Sequence, residues 1–173
     1  MLVIGIDPGT AITGYGLVRE ELDGSLTVVD YGAILTSSEL PMPERLLELH
    51  HRLVDILLLH RPTSAAVEKL FFHRNVTTAL SVGQARGVTL LALAATGLSI
   101  GEYTPLEVKQ AVAGYGGADK NQVQQMVRAL LGLTEIPRPD DAADALAVAI
   151  CHVHSARTKN LYNQSTEQLT NGT

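Results

Sequence analysis

The chain has 173 residues, 46% of them apolar and 4% aromatic, which fits one globular domain with a substantial core and excludes wholesale disorder. Its net charge of −5 argues against indiscriminate binding to a polyanion, but the charge is unevenly spread: residues 1–68 carry −6, residues 69–128 carry +3 and residues 129–173 carry −2. One cysteine (Cys151), no secretory signal pattern and no unbroken apolar run long enough to span a bilayer make a cytoplasmic protein the expectation, with no membrane partner.

The run Leu2-Val3-Ile4-Gly5-Ile6 is apolar and mostly β-branched, and it ends in Asp7 followed by Pro8-Gly9. Such a run predicts a buried central strand that delivers one carboxylate to its C-terminal edge before a tight turn. Thr13 to Val18 predicts a second strand returning beside it, with Gly14 and Gly16 leaving room for a backbone or ligand to come close. Leu26 to Leu35, after an Asp23-Gly24 turn, predicts a third. Pro41 and Pro43 introduce a helix from about Glu44 to His60 with Leu46, Leu49, Leu53, Ile56 and Leu57 on one face. His50, His51 and His60 have no metal-ligand spacing between them.

Ser64 to Glu68 predicts a short strand that again ends in a carboxylate, followed by a loop through Arg74. A long helix is expected from about Asn75 to Ala95, with Gly83 and Gly87 on one face where a second helix can approach, from this chain or from another subunit. A brief strand ends at Tyr103, and Pro105 opens a short helix through Val112. Asp119 is placed to cap a helix bearing Val123, Met126, Val127 and Leu130. A last helix is expected from Asp141 to about His154, and the polar stretch 156–173 reads as a disordered tail. Strands and helices in this order predict an α/β fold, a mixed sheet flanked by helices.

If the first and fourth strands are neighbours, Asp7 and Glu68 emerge together. Asp141 and Asp144 are three residues apart on a helix, roughly 60° apart around its axis. Asp140 and Asp144 would share a face as well, and acids in a first turn also serve simply to cap it. Four crowded carboxylates repel unless cations neutralise them, and hard oxygen ligands suit Mg²⁺ or Mn²⁺. Two such ions about 4 Å apart suit phosphodiester hydrolysis.

Residues 1–155 resemble the RuvC family of bacterial Holliday junction resolvases, nucleases of the ribonuclease H-like superfamily. The resemblance is carried by Gly5-Ile6-Asp7-Pro8-Gly9, Thr13-Gly14-Tyr15-Gly16, Glu68 with Phe71, Gly83-Gln84-Ala85-Arg86-Gly87-Val88, Val108-Lys109-Gln110, Lys120-Asn121-Gln122-Val123-Gln124 and Asp141-Ala142-Ala143-Asp144-Ala145-Leu146-Ala147. It implies a ribonuclease H-like five-stranded mixed sheet over residues 1–155, with 156–173 outside it. It implies a crossover junction endodeoxyribonuclease that acts in DNA recombination and repair by paired symmetric nicks. By this resemblance Asp7, Glu68, Asp141 and Asp144 hold two Mg²⁺ per subunit, with Mn²⁺ able to substitute. Lys109 and Lys120 fall on catalytic basic residues near the scissile phosphate, and Phe71 on an aromatic that wedges into unstacked bases. Which of Phe71 and Phe72 points outward stays open. Arg74 is expected to touch the DNA backbone, while Arg86 reads equally as a helix-surface or subunit-contact residue. The implied partners are four-way junction DNA, a second copy of the chain and the RuvA–RuvB branch-migration complex.

Other classes fit parts of the chain. Ile6-Asp7-Pro8-Gly9-Thr10 also resembles the first phosphate loop of the actin and sugar-kinase superfamily, whose members use two such domains. A ribosomal-RNA-processing nuclease of the ribonuclease H-like superfamily and a non-catalytic junction binder complete the alternatives.

Overall fold

The computed structural model describes residues 1–69 and 76–170, of which 76–78 and 159–170 enter as backbone only. Three strands open the chain: β1 (Leu2–Asp7), β2 (Ile12–Glu20) and β3 (Leu26–Leu35). Then α1 (Met42–His60), β4 (Ser64–Glu68), α2 (Val76–Ala95) and β5 (Ser99–Tyr103) alternate, and α3 (Pro105–Ala113), α4 (Lys120–Leu130) and α5 (Asp140–Thr170) close the fold. The five strands form one sheet in the order β3-β2-β1-β4-β5. The meander pairs are antiparallel, whereas β1–β4 and β4–β5 are parallel, so the sheet is mixed as expected.

The strands at the centre are buried on both faces, which is why the buried stretches, residues 3–6 of β1 and 64–67 of β4, carry only small or β-branched residues. Ile4, Ile6, Leu17, Ala65 and Val67 face α1 and α2, where Leu49, Leu53, Leu57, Ala85, Ala92 and Leu93 cover them. Val3, Val18 and Ala66 face the other way, against α5 with α3 and α4 behind it.

Glycine explains how closely α5 sits. A Cβ on Gly5 would come within 2.1 Å of the Ala145 carbonyl oxygen, and one on Gly14 within 2.0 Å of the Asp141 carbonyl oxygen. The helix backbone therefore rests directly on the sheet backbone, which side chains at these positions would prevent.

The capping expected at Asp119 is present as a full capping box with Gln122, and Thr104 with Glu107 makes a second one for α3. The end of α5 differs from expectation. The helix does not stop near His154 but continues to Thr170, through the segment expected to be disordered. No Gly or Pro interrupts residues 140–170, and Arg157 is fastened to Glu20 (Nε to Oε1, 2.5 Å) and to the Gly24 carbonyl of the β2–β3 turn. Polar composition alone does not end a helix that has an anchor beyond the core. Among the described residues, no helix is long and apolar enough to cross a membrane.

Candidate active site

Parallel pairing of β1 with β4 in the register Ile6↔Val67 brings the next residue of each strand, Asp7 and Glu68, out side by side at one end of the sheet. Alternation along a strand puts Asp7 with Val3 and Gly5, and Glu68 with Ala66, on the face covered by α5. Gly14 is the β2 partner of Asp7, and the first turn of α5 lies on Gly14. The same close approach that seats the helix thus brings Asp141 and Asp144 to the ends of the two central strands.

The charges feel one another. Burial pushes the Asp7 carboxyl up from its ordinary 3.8 to about 7, and Glu68, Asp144 and Asp141 add to the rise in that order while Lys120 opposes it. Glu68 is also raised, by burial and then by Asp144, against the pull of Arg86 and Lys120. Asp144 is raised by burial, with Lys120 opposing and Asp141 and Asp140 adding. A cluster in which neighbouring acids hold one another's protons lacks positive charge.

Some of that charge comes from Lys120. Its Nζ lies 3.1 Å from Asp144 Oδ2 and 3.4 Å from Asp140 Oδ2. Burial works to lower the lysine's pKa, but its hydrogen bond to Asp144 and the charges of Asp144 and Asp140 outweigh it and leave the pKa raised. Asp140, the residue that helix spacing alone left ambiguous, faces Lys120 and Arg138. Asp141 is the one that acts on Asp7. A cleft of about 190 Å³ opens beside the cluster, lined by Glu68, Pro105, Val108, Lys109, Lys120, Val123, Asp144 and Ala147. Lys109 and Lys120 thus reach one concavity from two helices.

The loop after Asp7 is closed on itself. Thr13 Oγ1 donates to the Gly9 carbonyl at 2.6 Å, and Thr10 Oγ1 donates to the Ser81 carbonyl of α2 at 2.7 Å. Thr10 is buried with its hydroxyl engaged by protein, unlike a residue presented to a nucleotide phosphate. Two contacts lay beyond what the sequence signalled. Arg86 donates from Nη1 to the Glu68 carbonyl and from Nη2 to Glu102, and Asp140 shares Lys120 with Asp144. Both depend on packing between distant elements and leave no local motif. Phe71, Phe72 and Arg74 lie outside the described residues.

Among the described residues, no group of three or more His, Cys, Asp or Glu side chains is already arranged as a cage for a metal ion. The donor set nevertheless fits a hard divalent cation: oxygen ligands only, converging on one end of the sheet, with the Asp7 pKa raised to about 7 by burial first and by its acidic neighbours second. The histidines of α1 are engaged elsewhere. The His50 and His51 rings meet edge to face, and His60 Nε2 lies 3.1 Å from Asp30 Oδ2.

Comparison with known proteins gives the lineage. The family model for crossover junction endodeoxyribonuclease RuvC matches residues 3–152. The chain belongs to the RuvC family. The RuvC of Desulfitobacterium hafniense (strain DSM 10664 / DCB-2) is 63% identical over 160 residues, covering 92% of this chain and 96% of the relative. That of Chloroflexus aurantiacus (strain ATCC 29366 / DSM 635 / J-10-fl) is 59% identical over 165 residues, covering 95% and 100%. A solved structure of Thermus thermophilus RuvC in complex with Holliday junction substrate superposes with a TM-score of 0.84 at 39% identity, over 91% of this chain and 96% of that one. The RuvC match runs from β1 into α5, so it contains the four carboxylates and both lysines and leaves out residues 153–173.

Proposed function

We propose that this chain is a Holliday junction resolvase: a metal-dependent endodeoxyribonuclease that nicks two like-polarity strands of a four-way DNA junction symmetrically. The observation that carries the reading is the β1–β4 register, which sets Asp7 beside Glu68 under the acidic first turn of α5. The Thermus relative solved with a Holliday junction supplies the substrate class.

Asp7, Glu68, Asp141 and Asp144 present the oxygen ligands for two Mg²⁺ per subunit, Mn²⁺ being able to substitute. When bound, these ions supply an activated water and neutralise charge at the leaving oxygen of the phosphodiester. The rest is done by the chain. Lys109 and Lys120 line the cleft and orient the scissile phosphate, stabilising charge that develops at phosphorus. Lys120 also screens Asp144 before any cation arrives. Outside the described residues, Phe71 serves as the wedge at the crossover and Arg74 as a backbone contact, the wedge exchanging a few kcal/mol of unstacking for contacts to distorted DNA.

A homodimer is the working form. Leu80 and Leu91 are exposed on α2, and among the described residues nothing lies within 4 Å of where a Cβ would stand on Gly83 or Gly87 between them. These four share one face of the helix, which suits close approach of the same face of a second copy, its two-fold axis matching the symmetry of the junction. Residues 1–155 are the nuclease domain and 156–173 an appendage. The setting is the cytoplasm, with a RuvA–RuvB type branch-migration complex as the further partner.

The test is cleavage of a synthetic four-way junction in Mg²⁺ by wild type and Asp7→Asn, with linear duplex and structured RNA as controls. Paired nicks on the junction alone, lost in Asp7→Asn while binding persists, are expected. Cleavage of RNA or linear duplex instead would discard the substrate, and junction binding without cleavage in either metal would leave a structural binder.

A further inference from the structure

Glu68 differs from the other three acids in its support. It is the last residue of β4, at a parallel strand end with only Lys69 described beyond it, and the Lys69 N–H donates to the Tyr103 carbonyl of β5 at 2.6 Å. Among the described residues, a further contact of this strand end comes from across the sheet. Arg86 projects from α2, its side chain 14% exposed, and its guanidinium forks. Nη1 donates to the backbone carbonyl of Glu68, and Nη2 pairs with the Glu102 carboxylate. Glu102 lies in β5 opposite Val67, the residue before Glu68. One planar group therefore joins α2, the end of β4 and its neighbour β5 at the residue that bears the carboxylate.

The anchor is firm at its base. Ala85, the preceding residue, is fully buried in the cluster under the sheet, so α2 cannot slide without disturbing that core. Both arms of the guanidinium are engaged within the chain, which disfavours a role at a subunit contact. Lysine could not replace this geometry, because one ammonium on a flexible stem does not hold two acceptors on separate strands in a fixed plane.

We infer that Arg86 is a positioning residue for Glu68: oriented by Glu102, it clamps the carbonyl at the end of β4 and thereby fixes where the Glu68 carboxylate stands. The inference rests on the reading of Glu68 as a metal ligand. Its consequence is that metal affinity, more than folding or DNA binding, depends on Arg86.

Calorimetric titration of the DNA-free full-length protein with Mn²⁺ tests it, on wild type, Glu68→Gln, Arg86→Gln, Arg86→Lys and Glu102→Gln. Metal-free junction binding and the Mg²⁺ concentration for half-maximal cleavage are measured on the same samples. Glu68→Gln is expected to lose Mn²⁺ affinity. Arg86→Gln and Arg86→Lys should both weaken it by about 10-fold, the low end for groups that orient metal ligands, with a parallel rise in the Mg²⁺ requirement and metal-free junction binding within about two-fold of wild type. Glu102→Gln should fall between. Wild-type Mn²⁺ affinity in Arg86→Lys would show that charge suffices and overturn the positioning role. Loss in Glu68→Gln with wild-type affinity in Arg86→Gln would overturn it while leaving the ligand reading intact. Unchanged affinity in Glu68→Gln would remove that reading and the inference with it. Should Arg86→Gln not fold, Arg86→Lys and Glu102→Gln decide the same question.

Discussion

Asp7 makes the metal-free protein sensitive to pH in a direction opposite to that of most carboxylates. Unfolded, it ionises near 3.8; folded, its pKa is about 7. Between those values the folded state holds a proton that the unfolded state has released, so stability falls as pH rises through the window and the penalty is complete above about pH 7. Glu68 and Asp144 are raised too and act in the same sense. Asp7→Asn removes the largest part. Thermal melts in EDTA should show wild type losing stability from pH 5 to pH 8, and Asp7→Asn should be more stable than wild type at pH 8 by on the order of 3 kcal/mol. Mg²⁺ should raise the wild-type melting temperature most at pH 8, and equal pH slopes for the two proteins would refute the buried, mutually repelled Asp7. Much of this site was legible in residue order, because an Asp and a Glu at the ends of apolar strands are visible without coordinates. Helix spacing alone did not choose between Asp140 and Asp141, since both suit a helix cap; the family resemblance chose Asp141, and the contact of α4 with the start of α5, where Lys120 takes Asp140, gives the physical difference between them.

At the scale of elements, the glycines of β1 and β2 set how closely α5 rests on the sheet. Apolar, β-branched runs bounded by turn residues predicted the strands and their meander, and Pro105 and the Asp119 cap predicted the helix starts at Pro105 and Lys120. Neither signal tells how near a helix lies to a sheet, nor that α5 would continue beyond the core to Thr170. The Gly14 contact gives that distance a functional meaning. Gly14→Ala would drive a methyl into the Asp141 carbonyl, with Asp7 as the neighbouring strand residue. Relief requires the first turn of α5 to lift, at about 1–3 kcal/mol for overpacking, and it carries Asp141 and Asp144 away from Asp7 and Glu68. The expected result is a folded protein with a lower melting temperature, a cleavage rate reduced at least ten-fold at saturating junction, and junction affinity little changed. Equal cleavage by Gly14→Ala and wild type would show that α5 is not held in place by this contact.

Across the whole molecule, a chain of net charge −5 has to meet a polyanion on the proposed function, and the +3 of residues 69–128 makes that third the candidate surface. That third contains α2 and α3 and most of α4, and α3 and α4 carry Lys109 and Lys120. Junction binding by so local a basic surface should weaken steeply with salt, through release of counterions from the contacted phosphates. The same third bears the exposed α2 face of Leu80, Gly83, Gly87 and Leu91, so the proposed subunit contact and the DNA-facing surface belong to one part of the chain. Leu91 is 62% exposed in the single chain, so changing it to a charged residue costs the monomer fold little. Against a second copy the same change places two like charges across a two-fold axis at close range, which costs several kcal/mol. Leu91→Glu should therefore sediment as a folded monomer at micromolar concentration where wild type sediments as a dimer. On a junction it should lose paired cutting before it loses chemistry: single nicks accumulate, and products with both strands cut within one binding event disappear. A Leu91→Glu protein that remains dimeric and still makes paired nicks would move the subunit contact to another face.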